Sequence, residues 1–248
     1  MAQMQRIESG TSCTVGTLSA KVASLTCRQR AGSAFDRLAR PYRWLEYAAF
    51  GRGLLRCRYD LLPWLADARR VLTVGEGDGR FVAELVRRFP EIKVDCVEAS
   101  EVMIARAQSR LPKGANVTFR HTNALELDFP KGEYDAVVTC FFLDCFKSET
   151  LTELMPRMAG SLQPCGNWLV AEFGQPPCGL AAWHARAWLA AMYFFFRYAT
   201  RLEARRLPDW ESEMARIGFA CFERVTRRYE LMATSRWSCA RKNSQKCG

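Results

Sequence analysis

The sequence predicts an α/β protein built on a doubly wound, mostly parallel seven-stranded sheet, with helices before it and an antiparallel hairpin at the carboxyl end. Three observations predict it. Strand-like and helix-like segments alternate from residue 71 to residue 173, the pattern that gives a parallel sheet covered on both faces. A glycine-rich turn, Gly75, Gly77 and Gly79, joins a strand to a helix, and an acid, Glu98, closes the next strand. Two strand-like runs near the end are joined through Arg227-Arg228, close enough for a hairpin.

Each element has its own signal. Residues 34–66 read as helices, with Phe35, Leu38, Ala39, Tyr42, Leu45 and Phe50 near helical spacing and Pro41, Gly51 and Gly53 interrupting them. Strands are expected at 71–75, 94–98, 117–120, 135–140 and 167–173, and helices at 79–89, 101–110 and 148–162. After Gln175-Pro176-Pro177 comes an apolar stretch rich in Trp, Phe and Tyr, then a helix at 208–217 and strands at 219–226 and 229–236. One domain is expected over 33–237, with an aromatic helical insertion at about 178–205, a disordered leader over 1–32 and a basic tail over 238–248. The leader is Ser/Thr-rich with scattered basic residues, so a transit peptide is an alternative, but it lacks the h-region of a signal peptide.

The glycine turn carries the first chemical information. Glycine lets the turn tighten and lets a ligand approach the backbone, and a carboxylate about 20 residues later can accept hydrogen bonds from a ribose diol. Dinucleotide sites use G-x-G-x-x-G, whereas this turn is Gly75-Glu76-Gly77-Asp78-Gly79-Arg80. Two carboxylates would repel a pyrophosphate and suit a nucleoside with a cationic centre. S-adenosylmethionine, with its sulfonium and ammonium groups, fits.

Charge and cysteines narrow the partners. The net charge is +10, but residues 1–30 hold +3 and residues 236–248 hold +4, so the body is nearly balanced. That distribution argues against nucleic acid. Eleven cysteines form no C-x-x-C pair, and with only His121 and His184 no metal site is expected. The cysteines read as small buried hydrophobes in a reducing, cytoplasmic setting. The apolar run Ala187–Phe196 is too short to span a bilayer. The stretch it belongs to, 183–198, reads as a core helix, a pocket roof or a peripheral membrane contact.

Over residues 34–236 the sequence resembles the class I S-adenosylmethionine-dependent methyltransferases, whose fold is Rossmann-like. Gly75, Glu76, Gly77 and Gly79 lie in the segment that looks like the first motif, and Glu98 matches the ribose-binding acid. Val97 to Met103 resembles the segment whose Met packs on adenine, which implies cofactor contacts at Ala99 and Met103. Asn123-Ala124 stands at the Asp-Ala pair that reads the adenine amino group. Tyr134 to Val138 looks like the fourth strand, which Phe141 follows, and Leu162 to Asn167 resembles the turn before the fifth.

A narrower likeness is to the ubiquinone/menaquinone biosynthesis C-methyltransferases. Phe35-Asp36, Ala39 and Tyr42 with Phe50-Gly51 resemble their amino-terminal helices, which adds Tyr42 to the cofactor-binding candidates. Thr73, Asn123, Arg43 and Glu46 depart from that group's pattern.

Methyl transfer from a sulfonium needs alignment and a desolvated pocket more than any universal catalytic residue. A base is needed only where an acceptor hydroxyl must lose a proton. The candidates are His184, on the aromatic stretch, and Asp144, after the fourth strand. The reading is therefore methyl transfer to a small apolar or aromatic acceptor. A protein or RNA methyltransferase, or a non-catalytic scaffold on the same fold, are the alternatives.

Overall fold

A computed structural model describes residues 52–174, 208–227 and 231–239. Helix α1 (Gly53–Tyr59) and a 3₁₀ turn at Leu62–Leu65 lead into β1 (Arg70–Val74). The alternation continues through α2 (Arg80–Arg88), β2 (Lys93–Glu98), α3 (Glu101–Arg110), β3 (Val117–His121) and β4 (Tyr134–Cys140). A second 3₁₀ turn (Leu143–Cys145), α4 (Ser148–Ala159) and β5 (Leu162–Phe173) follow. The last described elements are α5 (Trp210–Arg216), β6 (Phe219–Arg227) and β7 (Met232–Cys239).

The seven strands form one sheet in the order β3-β2-β1-β4-β5-β7-β6. The first five run parallel, and β7 is antiparallel to both β5 and β6. The expected architecture is the observed one. β5 begins earlier than expected: Leu162 pairs with Tyr134, and the regular ladder resumes only at Ala136 with Asn167. Between these pairs four residues of β5 stand against one of β4. The excess is taken up around Pro164, which cannot donate to a ladder, and Cys165, whose φ is 69°. β7 runs to Cys239, two residues past the boundary expected at 237, because Ser238 and Cys239 still pair with β6. The sites expected at Tyr42 and His184, and the aromatic stretch 183–198, lie outside the described residues.

Side chains alternate across the sheet with period two. Val71, Ala136, Val138, Leu169 and Ala171 pack against α1 and α2 through Leu54, Phe81, Val82 and Leu85. Their neighbours Leu72, Val74, Val137, Trp168 and Val170 pack on the other face, against Leu151, Leu154 and Met158 of α4 and Trp210 and Met214 of α5. Strands covered on both faces are buried at most positions, which is why β1, β2 and β4 lack the clean apolar–polar alternation of a half-exposed strand.

The helices are closed by local chemistry. Ser100 caps α3, its Oγ accepting the Met103 N–H at 3.2 Å, and Asp209 caps α5 by accepting from Ser212 N at 3.1 Å. Pro156 sits inside α4 and cannot donate to the Thr152 carbonyl. Arg216 Nη2 of α5 reaches that carbonyl at 3.4 Å, so the proline's missing bond becomes a tie between two helices.

Candidate functional site at the carboxyl edge of the sheet

From β1 the chain builds outward through β2 and β3, then returns to place β4 on the other side of β1. A crevice opens at such a reversal, outside the carboxyl ends of the strands, and ligands bind there. The tips of β1, β2, β4 and β5 bring the glycine turn, Glu98, Phe141 and Glu172 to this edge.

The three glycines of the turn all have positive φ, 70°, 71° and 79°, yet they serve different ends. A Cβ on Gly79 would stand 2.4 Å from the β-carbon of Ala107 and 2.5 Å from its α-carbon, so this glycine lets α2 lie against α3. A Cβ on Gly75 would stand 2.2 Å from the Phe142 ring. At Gly77, no described atom lies within 4 Å of that position. The open backbone of the turn is at Gly77.

Glu98 binds the turn to the tip of β2. Its Oε2 accepts the Gly77 N–H at 2.9 Å and its Oε1 accepts the Ser100 N–H at 3.0 Å. A carboxylate oxygen can accept more than one hydrogen bond. Ala99 is exposed beside it, and Met103 is buried under the start of α3, with its neighbour Val102 turned outward. Beyond β3, Asn123 Oδ1 accepts the Leu125 N–H at 3.0 Å. That bond fixes the side-chain amide, and Ala124 is buried in the core beneath it. His121 Nε2 lies 3.2 Å from the Ala99 carbonyl, bridging the ends of β2 and β3.

The two acids of the turn are not the pair of open carboxylates expected from the sequence. Asp78 is taken up by Arg80 Nε at 2.9 Å and Arg110 Nη2 at 3.1 Å, and Arg110 Nε also donates to the Asp78 carbonyl. Burial works to raise its pKa, but the Arg80 hydrogen bond and the charges of Arg80, Arg110 and Arg58 hold it below the ordinary value. Glu76 is buried and turns back to accept the Val82 N–H at 3.2 Å, near the start of α2. Burial pushes its pKa up to about 8, against the Val82 bond and the charge of Arg58. Near neutral pH Glu76 is largely protonated, so the turn carries less negative charge than its sequence suggests.

On the β4 side the chain makes a tight, strained reversal. Phe141 has φ 53°, a conformation that costs a non-glycine residue about 1–2 kcal/mol. The amides that follow are held by Glu172, whose Oε1 accepts from Phe142 N at 2.8 Å and Leu143 N at 2.7 Å. Glu172 is fully buried, and its Oε2 has no described hydrogen-bond partner. Burial, then the charge of Asp144, push its pKa well above the ordinary range. Asp144 is itself buried beside Cys145. The reversal sends the two phenylalanine rings to different places. Phe141 packs on Phe173 with ring centroids 4.9 Å apart and lies under Arg58, whose guanidinium carbon is 5.3 Å from its ring centroid. Phe142 is the ring against the glycine turn.

Three features were not legible in the sequence: Arg58, Phe142 and the burial of Glu172. An arginine in a short helix reads as a solvated residue, and only the packing of α1 against the sheet brings it here. Among the described residues no group of His, Cys, Asp and Glu could hold a metal ion. Among the described cysteines, Cys57, Cys96, Cys140, Cys145, Cys221 and Cys239 are free thiols. Cys165 is disulfide-bonded, a departure from the reducing setting expected for the cysteines.

Comparison with known proteins agrees with this architecture. Residues 71–166 match the family described as a methyltransferase domain. An uncharacterised methyltransferase of Mycobacterium tuberculosis is 33% identical over 120 residues, covering 48% of this chain and 58% of the relative. A demethylmenaquinone methyltransferase of Deinococcus radiodurans is 31% identical over 113 residues, covering 45% of this chain and 46% of the relative. The chain thus spans about half the length of these curated relatives. Magnesium protoporphyrin IX methyltransferase from Synechocystis, solved with bound SAH, superposes with a TM-score of 0.58 at 18% identity, over 77% of this chain and 86% of that one. A mitomycin 7-O-methyltransferase gives 0.61 at 16% identity, over 83% and 60% of the two chains. At such identities the structural likeness establishes the fold. From β1 to the start of β5, this chain matches a methyltransferase domain, on a Rossmann-like fold and with a sequence similar to that of the menaquinone group.

Proposed function

We propose that this chain transfers a methyl group from S-adenosylmethionine to a small apolar or aromatic acceptor. The observation that carries the reading is the turn at Gly77, left-handed, open above its α-carbon and tied to the Glu98 carboxylate. A nucleoside laid across that backbone meets no described side chain above Gly77 and finds an anionic acceptor at the height of its ribose. The bound cofactor would supply an activated methyl group on a sulfonium, and the protein's task is binding, orientation and exclusion of water.

Glu98 would receive the ribose hydroxyls, Gly75 and Gly77 would admit the nucleoside, and Ala99, Met103, Asn123 and Ala124 would border the adenine. Asn123, with Oδ1 engaged by Leu125 N, has amide hydrogens to offer a ring nitrogen. Phe141 and Phe142 would close the side toward the acceptor, on a reversal held by Glu172. Asp144, buried beside Glu172, is suited to orienting that wall more than to taking a proton from solvent. Tyr42 and His184 belong to the proposal through the sequence alone.

The demethylmenaquinone methyltransferases among the relatives support a small-molecule acceptor. Free thiols at six described cysteines support a cytoplasmic setting, and the Cys165 disulfide is the one observation against it. No helix among the described residues is long and apolar enough to cross a membrane. Calorimetry with S-adenosylmethionine tests the cofactor, and a mass-spectrometric screen for labelled methyl transfer to phenols, quinones and lipids tests the acceptor. A folded protein that binds no S-adenosylmethionine ends the proposal. Binding without transfer to any small acceptor favours the scaffold reading.

A further inference from the structure

We infer that Arg157, on the last turn of α4, is a positioning residue that sets base specificity through the turn at Asn123, an inference that rests on the S-adenosylmethionine reading above. That turn is a single coil of backbone held at both ends. At its start the Asn123 carbonyl accepts the Glu126 and Leu127 amides at 2.9 and 3.2 Å, and Asn123 Oδ1 accepts the Leu125 amide at 3.0 Å. The carbonyls at its end would lack partners, as at any helical terminus. Arg157 supplies them: Nη1 donates to the Leu125 carbonyl at 2.9 Å and Nη2 to the Leu127 carbonyl. Its guanidinium carbon also lies 5.8 Å from the ring centroid of Phe129, which is buried.

Leu125 is the link. Its carbonyl is held by Arg157 and its amide is held by Asn123, so the guanidinium, a rigid planar fork, fixes the residue that fixes the Asn123 side chain. With Oδ1 turned to Leu125, Asn123 meets a base through its NH2 donors. N1 of adenine accepts a hydrogen bond, whereas N1 of hypoxanthine carries a proton and donates one. A fixed NH2 therefore tells the two bases apart, and a side chain free to turn its oxygen outward would not. An arginine that only tied the loop to α4 would affect every nucleoside alike.

That difference is the test. Arg157→Met in the full chain is titrated calorimetrically with S-adenosylhomocysteine and with S-inosylhomocysteine, its deaminated counterpart. The wild type should prefer the adenine ligand, and the variant should bind that ligand about three- to tenfold more weakly while the inosine ligand is unchanged. Asn123→Ala should show the same selective loss, and the double variant should lose no more than either single one, because two residues acting through one contact are not additive. Should Arg157→Met fail to fold, Arg157→Lys, which keeps the charge without the fork, carries the same comparison. Equal loss for both ligands, no loss for either, additive losses in the double variant, or a wild type that does not distinguish the two bases overturns the inference while leaving the cofactor reading intact. A wild-type protein that binds neither ligand fails the cofactor reading itself, and this inference with it.

Discussion

Substituting alanine at Gly79 and at Gly77 should separate a glycine kept for packing from a glycine kept for a ligand. Both positions are left-handed, with φ 79° and 71°, so each substitution costs about 1–2 kcal/mol in backbone strain alone. The surroundings then diverge. At Gly79 the new methyl meets the β-carbon of Ala107 at 2.4 Å and its α-carbon at 2.5 Å, and backbone cannot step aside as a side chain can. Forcing α2 from α3 adds about 1–3 kcal/mol of overpacking, so Gly79→Ala should lose about 2–5 kcal/mol in total. Trimming Ala107 to glycine should not rescue it, because the clash with the backbone of α3 persists. At Gly77 no described atom is met, and the cost should stay at the backbone term. Urea unfolding gives the two stabilities, and calorimetry with S-adenosylhomocysteine on folded protein gives the affinities. Gly79→Ala should be the less stable and bind normally once folded, whereas Gly77→Ala should be nearly as stable as wild type and bind about tenfold or more weakly. Equal stabilities would refute the packing argument. Wild-type affinity in Gly77→Ala would refute the reading of that turn as the nucleoside's bed.

Three further outcomes are expected. Glu98→Ala should weaken adenosine and spare 2′,3′-dideoxyadenosine, and it should cost about 1–3 kcal/mol of stability because the Gly77 and Ser100 amides lose their acceptor; equal weakening of both nucleosides would contradict the ribose role. Glu76 holds its proton in the folded state up to about pH 8 against 4.5 for the ordinary group, so its stabilisation is complete below the lower value and is lost as pH rises through the upper one. Glu76→Gln should therefore remove up to about 1.4 kcal/mol per pH unit from the stability slope between those limits, and urea midpoints across pH 5–8 that fall equally steeply in the mutant would contradict it. Glu172→Leu strips the acceptor from the Phe142 and Leu143 amides and should speed their hydrogen exchange markedly, with Glu172→Gln, which retains a carbonyl oxygen, showing a much smaller effect; unchanged exchange in the leucine variant would contradict the restraint assigned to that carboxyl.

The sheet was legible because its signals are local. β1, β2 and β4 each hold a short apolar run between turn residues, and the structure moves their expected ends by at most one residue. β5 was read from 167, where its ladder with Ala136 becomes regular; the earlier residues pair across an irregularity that no periodicity records. β7 lies three residues later than expected at each end, because its register is set by pairing with β5 on one side and β6 on the other, not by the turn before it. In the site, Gly77 and Glu98 were readable from spacing. The charge of the turn was not: Arg110, which neutralises Asp78, lies 32 residues away in sequence, and the burial that protonates Glu76 depends on the packed start of α2. Phe141 and Phe142 are adjacent and chemically alike, so only the left-handed backbone at 141 decides which ring faces the turn.

The position of β7 bears on how the protein is made. The last described strand lies between two others, and among the described strands β6 pairs with β7 alone. During synthesis, β1 to β5 emerge first and can assemble, but the edge of β5 that pairs with β7 must wait with its backbone groups open. β6 emerges next and has nothing to join. Only when residues 232–239 leave the ribosome does the final strand enter the gap and close both edges together. At a synthesis rate of about 5–20 residues per second, that interval is one in which an unpaired strand edge is open to other nascent chains. A chain arrested before Met232 should therefore be sensitive to protease throughout α5 and β6, and release of the last strand should protect them in a single step.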